Sequence, residues 1–163
     1  MKLKFLSLVV VGLLFSCSSD DSSDNSGTEN VSIEGTWKLT EYKSENAYDY
    51  NNDGISNRDL MLELDCLTDR TLVFNENESG TLSYSTQIAA TGQSITCSEI
   101  GTTLIDGFNW SKNGSEVSMN YDITIHNGVI SGNKLTIMIP NEVIVLNNGN
   151  LVEEDLTKVY TKQ

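Results

Sequence analysis

From Val117 to His126 the chain alternates without a break. Val117, Met119, Tyr121, Ile123 and Ile125 are apolar, and Ser118, Asn120, Asp122, Thr124 and His126 are polar. A strand turns successive side chains to opposite faces, so the segment reads as one strand with a dry face and a wet face. His126 falls on the wet face, as an ordinary surface histidine. Leu135, Ile137 and Ile139 repeat the pattern up to Pro140, which lacks a ladder donor and marks an edge or a stop.

The same period recurs along the chain. Trp37 and Leu39 alternate with Lys38 and Thr40. Thr71-Leu72-Val73-Phe74, a polar turn and Gly80-Thr81-Leu82-Ser83-Tyr84 form a hairpin signature. Leu104–Trp110 reads as a further strand closed by Asn113-Gly114, a pair that tolerates the positive φ of a tight turn. Val143–Leu146 and about Leu156–Thr161 complete the set. Residues 87–103 are weakly patterned. Residues 44–69 are the longest interruption, and Leu60–Leu64 is a candidate for one or two helical turns. No segment holds a 3.6-residue period over a helix-like length. Eight or nine short strands joined by turns imply an all-β sandwich or barrel, and neighbouring hairpins favour an up-and-down meander.

The first 32 residues are of another kind. Lys2 and Lys4 precede an apolar run, Phe5–Phe15, and then Ser16-Cys17 gives way to Ser18-Ser19-Asp20-Asp21. A basic start, an apolar core and a small-residue cleavage point make a secretory signal. The run is too short to span a bilayer, which takes ~20 apolar residues. Leu14-Phe15-Ser16-Cys17 resembles the lipobox of bacterial lipoproteins. The resemblance implies cleavage after Ser16, acyl chains on Cys17, and permanent attachment to a membrane. It divides the chain into a signal at 1–16, a lipidated, disordered acidic tether at 17–32 and a folded domain at 33–163. The Ser-Asp-Asp start of the tether resembles an export signal to the outer face of the outer membrane. A generic acidic spacer, with the domain facing the periplasm, is the alternative.

Charge narrows the partners. The chain carries 10 basic and 23 acidic residues; the signal removes two lysines and no acid, leaving a net charge of −15. Nucleic acid is excluded as a partner, because phosphate binding rests on Lys and Arg. Once Cys17 is assigned to lipid, Cys66 and Cys97 remain as an even pair in an oxidising compartment. A disulfide is expected, with two buried free thiols as the alternative.

Gly35-Thr36-Trp37 stands at the start of the first strand, where the lipocalin superfamily has its Gly-x-Trp. The run from Leu72-Val73-Phe74-Asn75 to Gly80-Thr81, then Phe108-Asn109-Trp110-Ser111 and Val159-Tyr160-Thr161-Lys162, resemble strands of short bacterial lipocalin-like lipoproteins. That resemblance implies an eight-stranded antiparallel barrel, wide enough to be filled by side chains or to hold one small apolar ligand. Trp37, Tyr121 and Ile123 are then the candidate ligand-lining residues. The stripe of Met119, Tyr121, Ile123, Leu135 and Ile137 reads either as packed core or as the wall of a cup.

One local motif points to an ion. Asp49, Asn51 and Asp53, followed by Gly54, match the start of a Ca²⁺ loop, with Ile55 offering a carbonyl and Asn57 and Asp59 further oxygens. Leu60 stands where a bidentate acid belongs, and Glu63 or Asp65 could close the shell from a following turn. The alternative is a metal-free Asx-turn loop. No nucleophile elbow, zinc-protease helix or phosphate loop occurs. The leading expectation is therefore an outer-membrane, cell-surface lipoprotein that binds a small apolar ligand without catalysis. A module with a filled barrel that docks another envelope protein is the rival, and a small hydrolase is a distant third.

Overall fold

The computed structural model describes residues 32–91, 94–121, 123–146 and 148–163; the expected signal, Cys17 and nearly all of the tether lie outside them. Nine strands follow one another: β1 (Gly35–Tyr48), β2 (Asn57–Asp59), β3 (Thr71–Phe74), β4 (Ser79–Thr91), β5 (Ser94–Asn113), β6 (Glu116–Tyr121), β7 (Thr124–Ser131), β8 (Lys134–Val145) and β9 (Leu151–Lys162). Two 3₁₀ turns, Leu60–Leu62 and Asp65–Leu67, interrupt the series between β2 and β3. All pairings are antiparallel. From β3 each strand lies beside the next, and β1 pairs with both β3 and β9. β1 and β3–β9 thus close an eight-stranded up-and-down barrel, with β2 a short addition on β1. No helix among the described residues is long and apolar enough to cross a membrane.

One end of the barrel is packed solid. Trp37, Leu39, Leu72, Phe74, Met119, Val117, Leu135 and Tyr160 are buried there. Phe74 sits edge-on to Trp37, Phe108 and Trp110, with ring centroids 6.4, 5.3 and 5.8 Å away. Such edge-to-face pairs add to the burial itself. The Trp37 indole donates to the Ile33 carbonyl at 2.6 Å, so its polar edge is satisfied inside the core. On β1 a register shift between Leu39 and Glu41 changes the inward phase from Trp37 and Leu39 to Tyr42 and Ser44. An extra residue in one strand does this by moving every later side chain to the other face.

The strongest alternation in the sequence is not one strand. It is the β6–β7 hairpin, in which Tyr121 pairs with Thr124 across a two-residue turn. Residues opposed across a hairpin share a face. Odd positions therefore face inward on β6 and even positions on β7. Two expectations are corrected by this. Ile123 is not a lining residue but lies in the turn, 98% exposed. His126 is not on the wet face but opposite the fully buried Met119, with its ring 5.4 Å from Tyr121. Pro140 does not end its strand either. β8 passes through it at a register shift between Ile139 and Glu142, where Asn141 takes a φ of +53° and donates its amide to Asp155 at 3.0 Å. Within the weakly patterned 87–103 region, residues 87–91 and 94–103 belong to the outer arms of β4 and β5, paired from Thr86–Glu99 to Thr91–Ser94.

Candidate functional site

Residues 49–69 fold across the end of the barrel opposite Trp37. Leu60, Leu64, Cys66 and Leu67 are buried beneath this cap. The Cys66–Cys97 disulfide, with Cα atoms 5.3 Å apart, ties it to β5. Thr86 donates to the Cys66 carbonyl at 2.6 Å, and Ser85 gives its amide and hydroxyl to Asp69 at 2.7 and 2.8 Å. The Tyr50 hydroxyl reaches the Val145 carbonyl on β8 at 3.0 Å. On the far side, buried Glu154 accepts the amide and side chain of Asn46 and the hydroxyl of Tyr48, joining β9 to the end of β1.

Between cap and wall lies a pocket of about 260 Å³. Leu60 and Leu64 of the cap, Ile88 and Ile95 of the β4–β5 arm, and Val143, Ile144 and Val145 of β8 supply its apolar lining. Tyr42, Tyr50 and Glu142 are its polar-tipped members. A small concave site with aliphatic walls and a few polar groups suits one small apolar molecule. Its residues come from stretches far apart in the sequence, and only folding gathers them.

Next to the pocket the interior turns polar. Tyr42 lines the pocket, and the Lys158 ammonium lies 5.1 Å from the centre of its ring. The Arg70 guanidinium lies 5.2 Å from the centre of the Tyr84 ring, whose hydroxyl donates to Asp106 at 3.2 Å. Tyr121, Tyr160 and His126 complete this belt. Burial, and secondarily Arg70, lowers Lys158 to about 8, with Glu142 opposing. Burial, then Lys158, lowers His126 and keeps it neutral at pH 7. Burial and the nearby Glu142 push Tyr42 up to about 12, and burial raises Tyr121 and Tyr160 as well. Four uncharged rings and two cations therefore face one interior.

The 49–59 loop folds as a ladder of Asx turns. Asp49 accepts the amides of Asp53 and Gly54 at 3.1 and 3.0 Å, Asn51 that of Asp53 at 3.0 Å, and Asp53 that of Ile55 at 2.8 Å. Glu63 does return to the loop, accepting from the Tyr50 amide at 3.0 Å and from the Asn57 side chain. Asp59 instead caps the first 3₁₀ turn through the Met61 amide at 3.2 Å and binds the Tyr42 amide at 3.0 Å. The loop oxygens thus face backbone amides. Among the described residues no three His, Cys, Asp or Glu side chains converge as a metal-binding group.

The proposed lining residues divide three ways. Trp37 is sealed in the packed end, Tyr121 faces the interior against Phe108 at 4.8 Å, and Ile123 is outside. None of the three lines the pocket under the cap. Arg70 and Lys158 carry a weak signal in the sequence. Arg70-x-Leu72-x-Phe74 and Leu156-x-Lys158-x-Tyr160 each place a cation in the apolar phase of a strand.

No protein-family model matches the chain, and no curated protein does. Among solved structures, the chain is similar to fatty-acid-binding protein 1 of Echinococcus granulosus, at 11% identity and a TM-score of 0.33 over 80% of this chain and 96% of that one. That likeness is too slight to carry a function across.

Proposed function

We propose that this protein is an acyl-anchored envelope lipoprotein whose barrel holds one small apolar molecule without catalysis. The pocket of about 260 Å³ under the disulfide-tied cap, walled by aliphatic side chains, is the observation that carries this reading. The anchor rests on the lipobox-like Leu14–Cys17, and the Ser-Asp-Asp start of the tether supports an outer-membrane, cell-surface position over a periplasm-facing one. Native mass spectrometry of protein purified from its host tests the cup. A retained small molecule, released on denaturation, is the expected result, and a mass equal to the acylated chain alone counts against it. Replacing Cys17 by Ser and finding the protein still in the membrane fraction would remove the anchor.

A second reading has its own observation. Ile125, Val129 and Met138 are exposed on the outside of β7 and β8, where a barrel wall facing only water would be polar. They favour docking of another envelope protein. Crosslinking from an exposed position such as Ile125→Cys, in intact cells, separates this role from ligand binding.

A further inference from the structure

Among the described residues, the barrel interior contains two cations without a direct ion-pair partner. Arg70 and Lys158 are far apart in the sequence and come near one another because β1 lies between β3 and β9. They influence one another electrostatically. Neither has an ion-pair partner: the ion pairs of the described residues include Lys43 and Lys134 with Glu41 on the outside, and none involves Arg70 or Lys158. Lys158 faces the Tyr42 ring, and Arg70 the Tyr84 ring. The Arg70 Nε is buried and makes no hydrogen bond. A buried guanidinium N–H without an acceptor, close to a half-buried ammonium, is costly unless an anion joins them.

We propose that the ligand is an amphiphile with a carboxylate headgroup, held by Arg70 and Lys158, whose alkyl tail fills the pocket under the cap. This rests on the cup reading above. Tyr42 belongs to both halves, lining the pocket and meeting the Lys158 ammonium, so head and tail sites are contiguous through its ring. The guanidinium fork matches a carboxylate, and the un-ionised hydroxyls of Tyr42, Tyr121 and Tyr160 are further donors at neutral pH. A single negative charge suits the belt better than two. Glu142, near Lys158, and Asp106, on Tyr84, offset part of the positive charge without pairing with either cation, and His126 adds none at neutral pH. These two carboxylates repel a phosphate dianion more strongly than a singly charged carboxylate.

Isothermal titration of the delipidated protein at neutral pH, with decanoate, decanol and decyl phosphate as probes, tests this. Decanoate should bind roughly 10- to 100-fold more tightly than decanol, the range for hydrogen bonds to a charged group. Lys158→Met and Arg70→Met should each bring decanoate close to decanol and leave decanol binding in place. If either variant fails to fold, the comparison of probes on the unaltered protein still decides. Equal binding of decanoate and decanol overturns the headgroup and leaves the cup. Stronger binding of decyl phosphate than of decanoate overturns the carboxylate. Failure of all three overturns the cup as well.

Discussion

The Lys158 ammonium sits 5.1 Å from the centre of the Tyr42 ring, on adjacent strands paired residue to residue inside a closed wall. The ring face offers less than water does, and Lys158 accordingly titrates near 8 rather than 10.5. An unfolded chain keeps this lysine protonated up to about 10.5, whereas the folded one gives up its proton near 8. Between those values the unfolded state binds more protons, so stability rises with pH. Below about pH 8 the folded protein carries the full cost of a buried charge. Lys158→Met should therefore stabilise the ligand-free protein at neutral pH, by about 1–3 kcal/mol. The gain should shrink as pH rises from 8 towards 10. Tyr42 and Tyr50, pushed up to about 12, act in the opposite sense above pH 10, where unfolded tyrosines ionise first. Urea midpoints of both proteins across that range check this; a gain independent of pH would mean that lost charge is not its source.

Gly80 is a test of how tightly the closed end is packed. It pairs with Phe74 on one side and Phe108 on the other. A Cβ there would overlap the edge of the Phe108 ring and come within 2.7 Å of the Val73 carbonyl oxygen. The ring could turn, but the carbonyl is part of a ladder and cannot. Gly80→Ala should cost about 3 kcal/mol, at the upper end of overpacking. Gly107, on the neighbouring strand, has open space around its Cβ position. Gly107→Ala should be neutral or stabilise by up to about 1 kcal/mol through the unfolded chain. Chemical denaturation of the two single variants distinguishes a packed end from a loose one.

The architecture could be read from the sequence because a closed barrel imposes a period of two on every strand, and Trp37, Leu39, Leu72, Phe74, Val117 and Met119 all keep it. The Tyr121–Thr124 turn was hidden for a physical reason. Its residues carry no Gly or Asn-Gly signal, and Ile123 and Ile125 continue an apolar rhythm on what has become the outer face. The bulge after Leu39 hides Tyr42 and Ser44 in the same way, since nothing local announces a change of phase. The polar belt is a matter of long-range pairing. The strand period places Arg70 and Lys158 each in an apolar phase, but only β1, between their strands, brings them near one another. Cys66 and Cys97 could be paired because two candidates leave one choice.

Glu63 is buried, yet its partners are two backbone amides and the Asn57 side chain rather than a cation. Glu63→Gln keeps the shape and exchanges one acceptor oxygen for a donor, which leaves an amide or the Asn57 side chain facing a like group. Bonds to an ionised acceptor contribute about 1.5–3 kcal/mol each. A destabilisation of that size is expected, measured by urea unfolding in chelator so that no ion enters the comparison. A variant as stable as the parent would show that the carboxylate does not hold the cap to the loop.

The Cys66–Cys97 bond closes a loop of sequence separation 31 and fastens a cap with only short 3₁₀ turns of its own. In the loop-entropy account, a closure of that length contributes roughly 3–4 kcal/mol. Cys66→Ala with Cys97→Ala should lower stability by about that amount. It should do more than that to the pocket, because Leu60 and Leu64 line it from the cap while Ile88 and Ile95 line it from the strand arm to which the cap is tied. Hydrogen exchange should show faster opening across 49–69 than across β6–β9, whose ladders do not involve the bridge. Uniformly faster exchange over the whole barrel would mean instead that the bridge supports the fold globally and that the cap has no separate motion to restrain.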